Sequence, residues 1–182
     1  MPRNFGVSRR DLPRAFDLSS LSYFLDFLLV PLAIAALLGI SGIRIIPVAS
    51  GVLAWTLAEY WIHRLVFHGP TRFAPMHEMH HRLPKDWIGA ASWLTLPAFA
   101  SVFGLLDLVM SQVDAASATA GLMAGYLAYC AVHIRIHHGS PGRFSAPMAH
   151  LYRLHAGHHR GGRANYGVTS PLWDIVFRTY NP

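Results

Sequence analysis

Twelve histidines stand against nine aspartates and glutamates in this chain of 182 residues, and they fall in two stretches. His63, His68, His77, His80 and His81 form the first; His133, His137, His138, His150, His155, His158 and His159 form the second. The spacings are ordered: H-x4-H, H-x2-H-H, H-x3-H and H-x2-H-H again. Positions i, i+3 and i+4 share one face of a helix. Each triplet can therefore direct three imidazoles at neighbouring points, and His133 with His137 can direct two. His63 and His68 are five apart and diverge on a regular helix, but Gly69-Pro70 marks a helix end that would let His68 swing inward.

Imidazole is a borderline ligand that suits iron, zinc, copper or nickel. The ten residues His63, His68, His77, His80, His81, His133, His137, His155, His158 and His159 exceed what one ion takes, since zinc sites usually hold about four ligands. They suit two ions of about five nitrogens each. His138 could replace His137 by forming H-x4-H with His133; the reading adopted is that His137 ligates. His150 falls outside the scheme. A surface or satisfied core histidine is the ordinary reading of any one such residue, and it fails for four ordered clusters together.

The elements that must carry these groups are apolar. Hydrophobic residues make up 53% of the chain and charged residues 13%, against roughly 25% charged in soluble domains. Four apolar runs, 22–40, 45–67, 88–110 and 116–134, approach the ~20 residues of a spanning helix. Pro31, Pro47 and Pro97 are tolerable there, because neighbouring helices can re-satisfy the backbone. The expected organisation is a basic cytoplasmic arm, residues 1–20, and a single membrane domain, residues 21–182.

Positive charge sets the orientation. Arg3, Arg9, Arg10 and Arg14 precede the first run; Arg64, Arg72, Arg82 and Lys85 lie in or beside the middle loop. Arg135, Arg143, Arg153, Arg160, Arg163 and Arg178 follow the last run, and Arg44 alone falls on the other side. The termini, the loop 68–87 and the tail 135–182 are therefore expected in the cytoplasm, with both histidine stretches on one membrane face. The net charge of +6 fits lipid headgroups and membrane orientation rather than nucleic acid. A lone cysteine, Cys130, excludes a disulfide within the chain and reads as packing.

The motifs "HRLVFH", "HEMHH", "HIRIHH" and "HAGHH", followed by "NYGVTSPLWDIVFRTY", resemble the fatty acid hydroxylase / sterol desaturase superfamily of integral membrane di-metal oxygenases. The resemblance runs from about Trp55 to Tyr180. It implies an all-α integral membrane fold, four transmembrane helices with a cytoplasmic histidine-rich helical cap. It also implies two iron ions (zinc fits the same nitrogens), dioxygen as co-substrate, and an external electron donor. Unlike the fused fatty acid hydroxylases, the chain shows no haem-binding domain, so the donor is expected to be a separate redox partner protein. The implied reaction is hydroxylation of a fatty acyl chain or related membrane lipid.

That chemistry suits the residues. An unactivated methylene has no acidic proton and no leaving group, so a metal–oxygen oxidant must break its C–H bond. A carotenoid hydroxylase or lipid desaturase on the same scaffold is the alternative. A membrane metal transporter or metal-binding protein is a further one, disfavoured because transporters place their ligands near the bilayer midplane. Three polar residues are candidates to orient the imidazoles: Glu59, one turn before His63; Asp174, in "PLWDIVF"; and Asn165.

Overall fold

The computed structural model describes residues 19–182, and nearly all of the expected basic arm lies outside the described residues. The described residues form helices joined by turns, with no strand element. Ser19 caps α1 (Ser20–Phe24) by accepting a hydrogen bond from the Ser22 amide. The chain continues directly into α2 (Asp26–Ser41), which stops at Gly42, in a left-handed conformation with φ 82°. α3 (Ile45–Trp61) passes into a π-helical turn, Ile62–Phe67. Then follow α4 (Ala74–Arg82), α5 (Ser92–Asp107), α6 (Gln112–His138), α7 (Ala146–Gly161) and the short α8 (Leu172–Val176).

Among the described residues, three helical stretches are long and apolar enough to cross a membrane: Leu21–Ser41, Ile45–Phe67 and Gln112–His138, of 21, 23 and 27 residues. At about 1.5 Å per residue each exceeds the ~30 Å hydrocarbon core. The expected span over 88–110 is shorter than its composition suggests. Helix α5 has only 16 residues, or roughly 24 Å. It starts at Ser92, and the helix ends at Asp107 although apolar residues continue to Met110. Helix α6 begins four residues earlier than its apolar run, because Ser111 and Asp114 cap it reciprocally: the Ser111 hydroxyl donates to Asp114 and accepts from its amide.

The chain divides into two compact units. One comprises residues 19–55 and Gly89–Ala128. Its core is Val30, Phe99 and Met123, with Trp55, Tyr126 and Leu127 packed around them. Two glycines let α3 and α6 touch backbone to backbone. A Cβ on Gly51 would lie 2.1 Å from the Ala118 carbonyl, and one on Gly121 equally close to that of Val48. Small residues give this close approach in membranes, where dispersion rather than water expulsion drives helix association. Leu28, Leu32, Leu53 and Leu105 are exposed, as lipid-facing side chains would be. The one buried carboxylate in this unit, Asp26, accepts hydrogen bonds from Thr95 Oγ1 at 3.1 Å and Tyr126 Oη at 2.5 Å, as an acid within a membrane span requires.

The other unit, Thr56–Ile88 and Tyr129–Pro182, contains the ends of α3 and α6, the π-helical turn, α4, α7 and α8. Every histidine of the chain belongs to it.

Candidate metal centre

Ten histidines converge in two groups of five. His63, His68, His77, His81 and His158 form one; His80, His133, His137, His155 and His159 form the other, and within each group the ligand nitrogens all lie within 4.8 Å of one another. Each H-x2-H-H triplet is divided between the groups. Its outer pair, His77 with His81 or His155 with His159, is spaced i, i+4 and serves one group. The middle histidine, His80 or His158, turns to the other. His133 and His137 obey the same i, i+4 rule on α6.

The pair His63 and His68 breaks that rule, and the backbone changes to accommodate it. Five residues advance a regular α-helix by one turn plus roughly 140°, which would send the two rings apart. Residues 62–67 instead form a π-helical turn, closed by the His68 amide on the His63 carbonyl at 3.2 Å. An i→i+5 turn puts residues five apart on one face. The alignment comes from this widened turn and is complete before Gly69-Pro70 is reached.

The donor set fits metal ions. In the first group the Nε2 atom of His77 lies 3.0 Å from those of His63, His68 and His81, and His68 lies 2.9 Å from His158. In the second, His133–His80 is 3.1 Å, and His137–His133, His137–His155 and His159–His155 are each 3.0 Å. Nitrogens about 2.1 Å from one ion stand about 3.0 Å apart at right angles and about 3.4 Å apart at tetrahedral corners. The spacings therefore match the edges of an octahedron. An ion held by five such nitrogens would have room for one further ligand.

Two rings of the first group are held by backbone carbonyls. His63 Nδ1 donates to Tyr166 O at 2.5 Å and His158 Nδ1 to Ala164 O at 2.7 Å, which leaves Nε2 bare to ligate. Sequence reasoning missed these partners, since any residue can offer a carbonyl. The only local signal was Asn165-Tyr166-Gly167, a left-handed residue (Asn165, φ 56°) followed shortly by glycine.

None of the three residues expected to orient the imidazoles touches one; they hold the loop that does. Asp174, 1% exposed, accepts from the amides of Tyr166 and Gly167, both at 2.8 Å, and from Thr179 Oγ1 at 2.7 Å. Burial pushes its carboxyl up, and these three donors pull it back. A Cβ on residue 167 would meet the Ser170 carbonyl at 2.2 Å and the Asp174 carboxylate at 3.0 Å, so only glycine brings its amide there. Glu59 accepts from the amides of Val168 and Thr169 and from Thr169 Oγ1. Asn165 donates to the carbonyls of Leu154 and Asn181 and accepts from the Asn181 amide. Glu59 from α3 and Asp174 from the tail bind the amides of residues 166–169, and the His63 and His158 rings lean on the carbonyls of Tyr166 and Ala164 in the same loop.

The two remaining histidines lie elsewhere. His138 stacks on Trp87, centroids 4.5 Å apart and planes 6° from parallel; His150 sits beside the Tyr180 hydroxyl. Glu78, between two of the grouped histidines, pairs with Arg82 one turn on.

Burial keeps the grouped imidazoles neutral. It holds His68 and His81 down to about 4 and His159 to about 3, and it lowers His77, His80, His155 and His158 well below 6.5, with neighbouring histidines adding to each of these four. Neutral rings are the form that ligates. In the metal-free protein, acid from pH 6.5 downward protonates the unfolded chain but not the folded one. Stability present above that pH is therefore expected to fall progressively toward about pH 4. Melting temperatures of metal-free protein at pH 7, 6 and 5 should decline in that order; a flat profile would contradict the burial of these rings.

Described residues that are all helical, with membrane-length apolar helices and two groups of five histidines, define a narrow class. Residues 48–179 match the model of the fatty acid hydroxylase family, and the chain belongs to that family. It is 37% identical to dihydroceramide fatty acyl 2-hydroxylase FAH2 of Arabidopsis thaliana, over 72% of this chain and 59% of that protein. It is 35% identical to ceramide very long chain fatty acid hydroxylase SCS7 of Saccharomyces cerevisiae, over 71% and 36% of the two chains. Fatty acid 2-hydroxylase of Rattus norvegicus is 34% identical, over 72% and 38%. The chain thus spans less than two thirds of the length of these relatives. The solved structure of full-length scs7p, in which only the hydroxylase domain is visible, superposes with a TM-score of 0.76 at 26% identity, covering 88% of this chain and 67% of that one.

Proposed function

We propose that this protein is a dioxygen-dependent hydroxylase of a fatty acyl chain in a membrane lipid, with its ten grouped histidines holding two iron ions. The observation that carries the reading is the pair of five-nitrogen groups at octahedral-edge spacing. Iron bound there would supply the redox chemistry that activates dioxygen and breaks an unactivated C–H bond. The protein's own residues bind and orient. His63 and His158 are aimed by carbonyls, the other rings by their helices. Leu154, Tyr166 and Val168, all buried, help to keep water from the loop that carries those carbonyls.

The relatives' names point to carbon 2 of an acyl chain as the position attacked. The balanced reaction consumes one dioxygen, two electrons and two protons for each hydroxyl and water formed. The electrons come from a separate redox partner protein. Residues 21–182 act as one membrane domain, with the arm, the site and both termini in the cytoplasm. Chain connectivity supports a fourth, short crossing by α5. His63 to His81 and His133 to His159 share their sites, and the membrane-length helix α6 returns to them only if α5 has first carried the chain across.

Purified protein loaded with ferrous iron and given reductant, oxygen-18 gas and a long-chain ceramide should yield 2-hydroxyacyl product carrying one labelled atom. An unlabelled desaturated product would replace hydroxylation by desaturation. No product from ceramides, free fatty acids or carotenoids would overturn the proposal.

A further inference from the structure

The two histidine groups differ in how the far side of each ring is treated. A neutral imidazole that ligates through Nε2 carries its proton on Nδ1, and that N–H needs an acceptor wherever water is excluded. In the first group His63 and His158 have one each, the carbonyls of Tyr166 and Ala164. In the second, the Nδ1 atoms of His80 and His155 are buried with no hydrogen-bond partner; these residues are only 4% and 2% exposed. One further pair is balanced. His81 and His159, from opposite groups, stack with centroids 4.2 Å apart, and each ring donates a hydrogen bond to the other residue's backbone carbonyl.

We infer that the two sites are unequal: the one formed by His63, His68, His77, His81 and His158 holds a divalent ion at least about tenfold more tightly than the one formed by His80, His133, His137, His155 and His159. The inference rests on the reading of these groups as metal sites. A ligated imidazole gives electron density to the ion, so its N–H becomes a better donor and a carbonyl facing it gains in strength as the ion binds. That carbonyl also fixes the ring's rotation in advance. The Tyr166 carbonyl is itself fixed, since Asp174 holds the amides of Tyr166 and Gly167. His80 and His155 have no such help: their rings are placed by packing alone, with a polar hydrogen left dry.

The test is a titration of the full chain in detergent with Zn2+ against a coloured competing chelator. Two ions should bind in separate steps, with dissociation constants at least about tenfold apart. The pair of substitutions His133→Ala and His137→Ala should leave the tighter step, and His77→Ala with His81→Ala the weaker one. Asp174→Asn should weaken the tighter step and spare the other. Because a ligand variant can fail to fold, chelator-driven release from the unsubstituted protein gives a second measure. It should be biphasic, and Asp174→Asn should speed only the slow phase. Two equal steps, the reverse assignment, or equal weakening of both steps by Asp174→Asn would overturn the inequality alone. Failure to bind Zn2+ at all would overturn the metal reading with it.

Discussion

Replacing His77 with alanine is expected to abolish hydroxylation to within measurement, a loss of at least about 100-fold, and to lower bound metal from two ions toward one. Its Nε2 atom stands 3.0 Å from three of the four other histidine nitrogens of its group, so its loss disturbs most of that group. Outer partners of a ligand commonly contribute about 10–100-fold to metal affinity or activity, and a ligand itself contributes more. His138→Ala and His150→Ala are the matched controls. One ring stacks on Trp87 and the other sits by Tyr180, so both variants should keep two ions. Metal analysis alongside product formation decides the matter. A His77→Ala protein with two ions and undiminished turnover would remove the first group from the chemistry.

Glu59→Ala should destabilise the protein by about 2–4 kcal/mol, because it leaves buried hydrogen-bond donors without an acceptor. The side chain is 4% exposed and is the acceptor for three donors: the Val168 amide, the Thr169 amide and the Thr169 hydroxyl. Alanine strands all three, and each buried unpaired donor costs about 1–3 kcal/mol. The damage should spread, because the loop released is continuous with the carbonyls that hold His63 and His158. Metal affinity is therefore expected to fall together with melting temperature, although Glu59 touches no imidazole. Glu59→Gln, which retains an acceptor oxygen, should recover part of both. Equal metal affinity in Glu59→Ala and the unsubstituted protein would show that the loop does not position the rings.

Much of the site was legible in residue order. The i, i+4 pairs His77/His81, His133/His137 and His155/His159 belong together by helical geometry alone, and the structure places each pair in one histidine group. The membrane-length apolar helices were also readable, because hydropathy is a property of short windows; His137 lies in a histidine group and His138 against Trp87. Three features depended on the folded chain. The middle histidines His80 and His158 cross to the opposite group, which is decided by where α4 and α7 meet and not by spacing within either helix. The π-helical turn that aligns His63 with His68 has no reliable signature in residue types, since it is an extra residue accommodated by the backbone. The roles of Glu59, Asp174 and Asn165 also came only from the structure. A carboxylate near a histidine in sequence invites a direct bond, yet the closest donors in space were backbone amides more than a hundred residues from Glu59. Local order thus determined which imidazoles share one helix face. Long-range packing decided which ring joins which histidine group and which carbonyl aims it, because those contacts join segments that no sequence window contains.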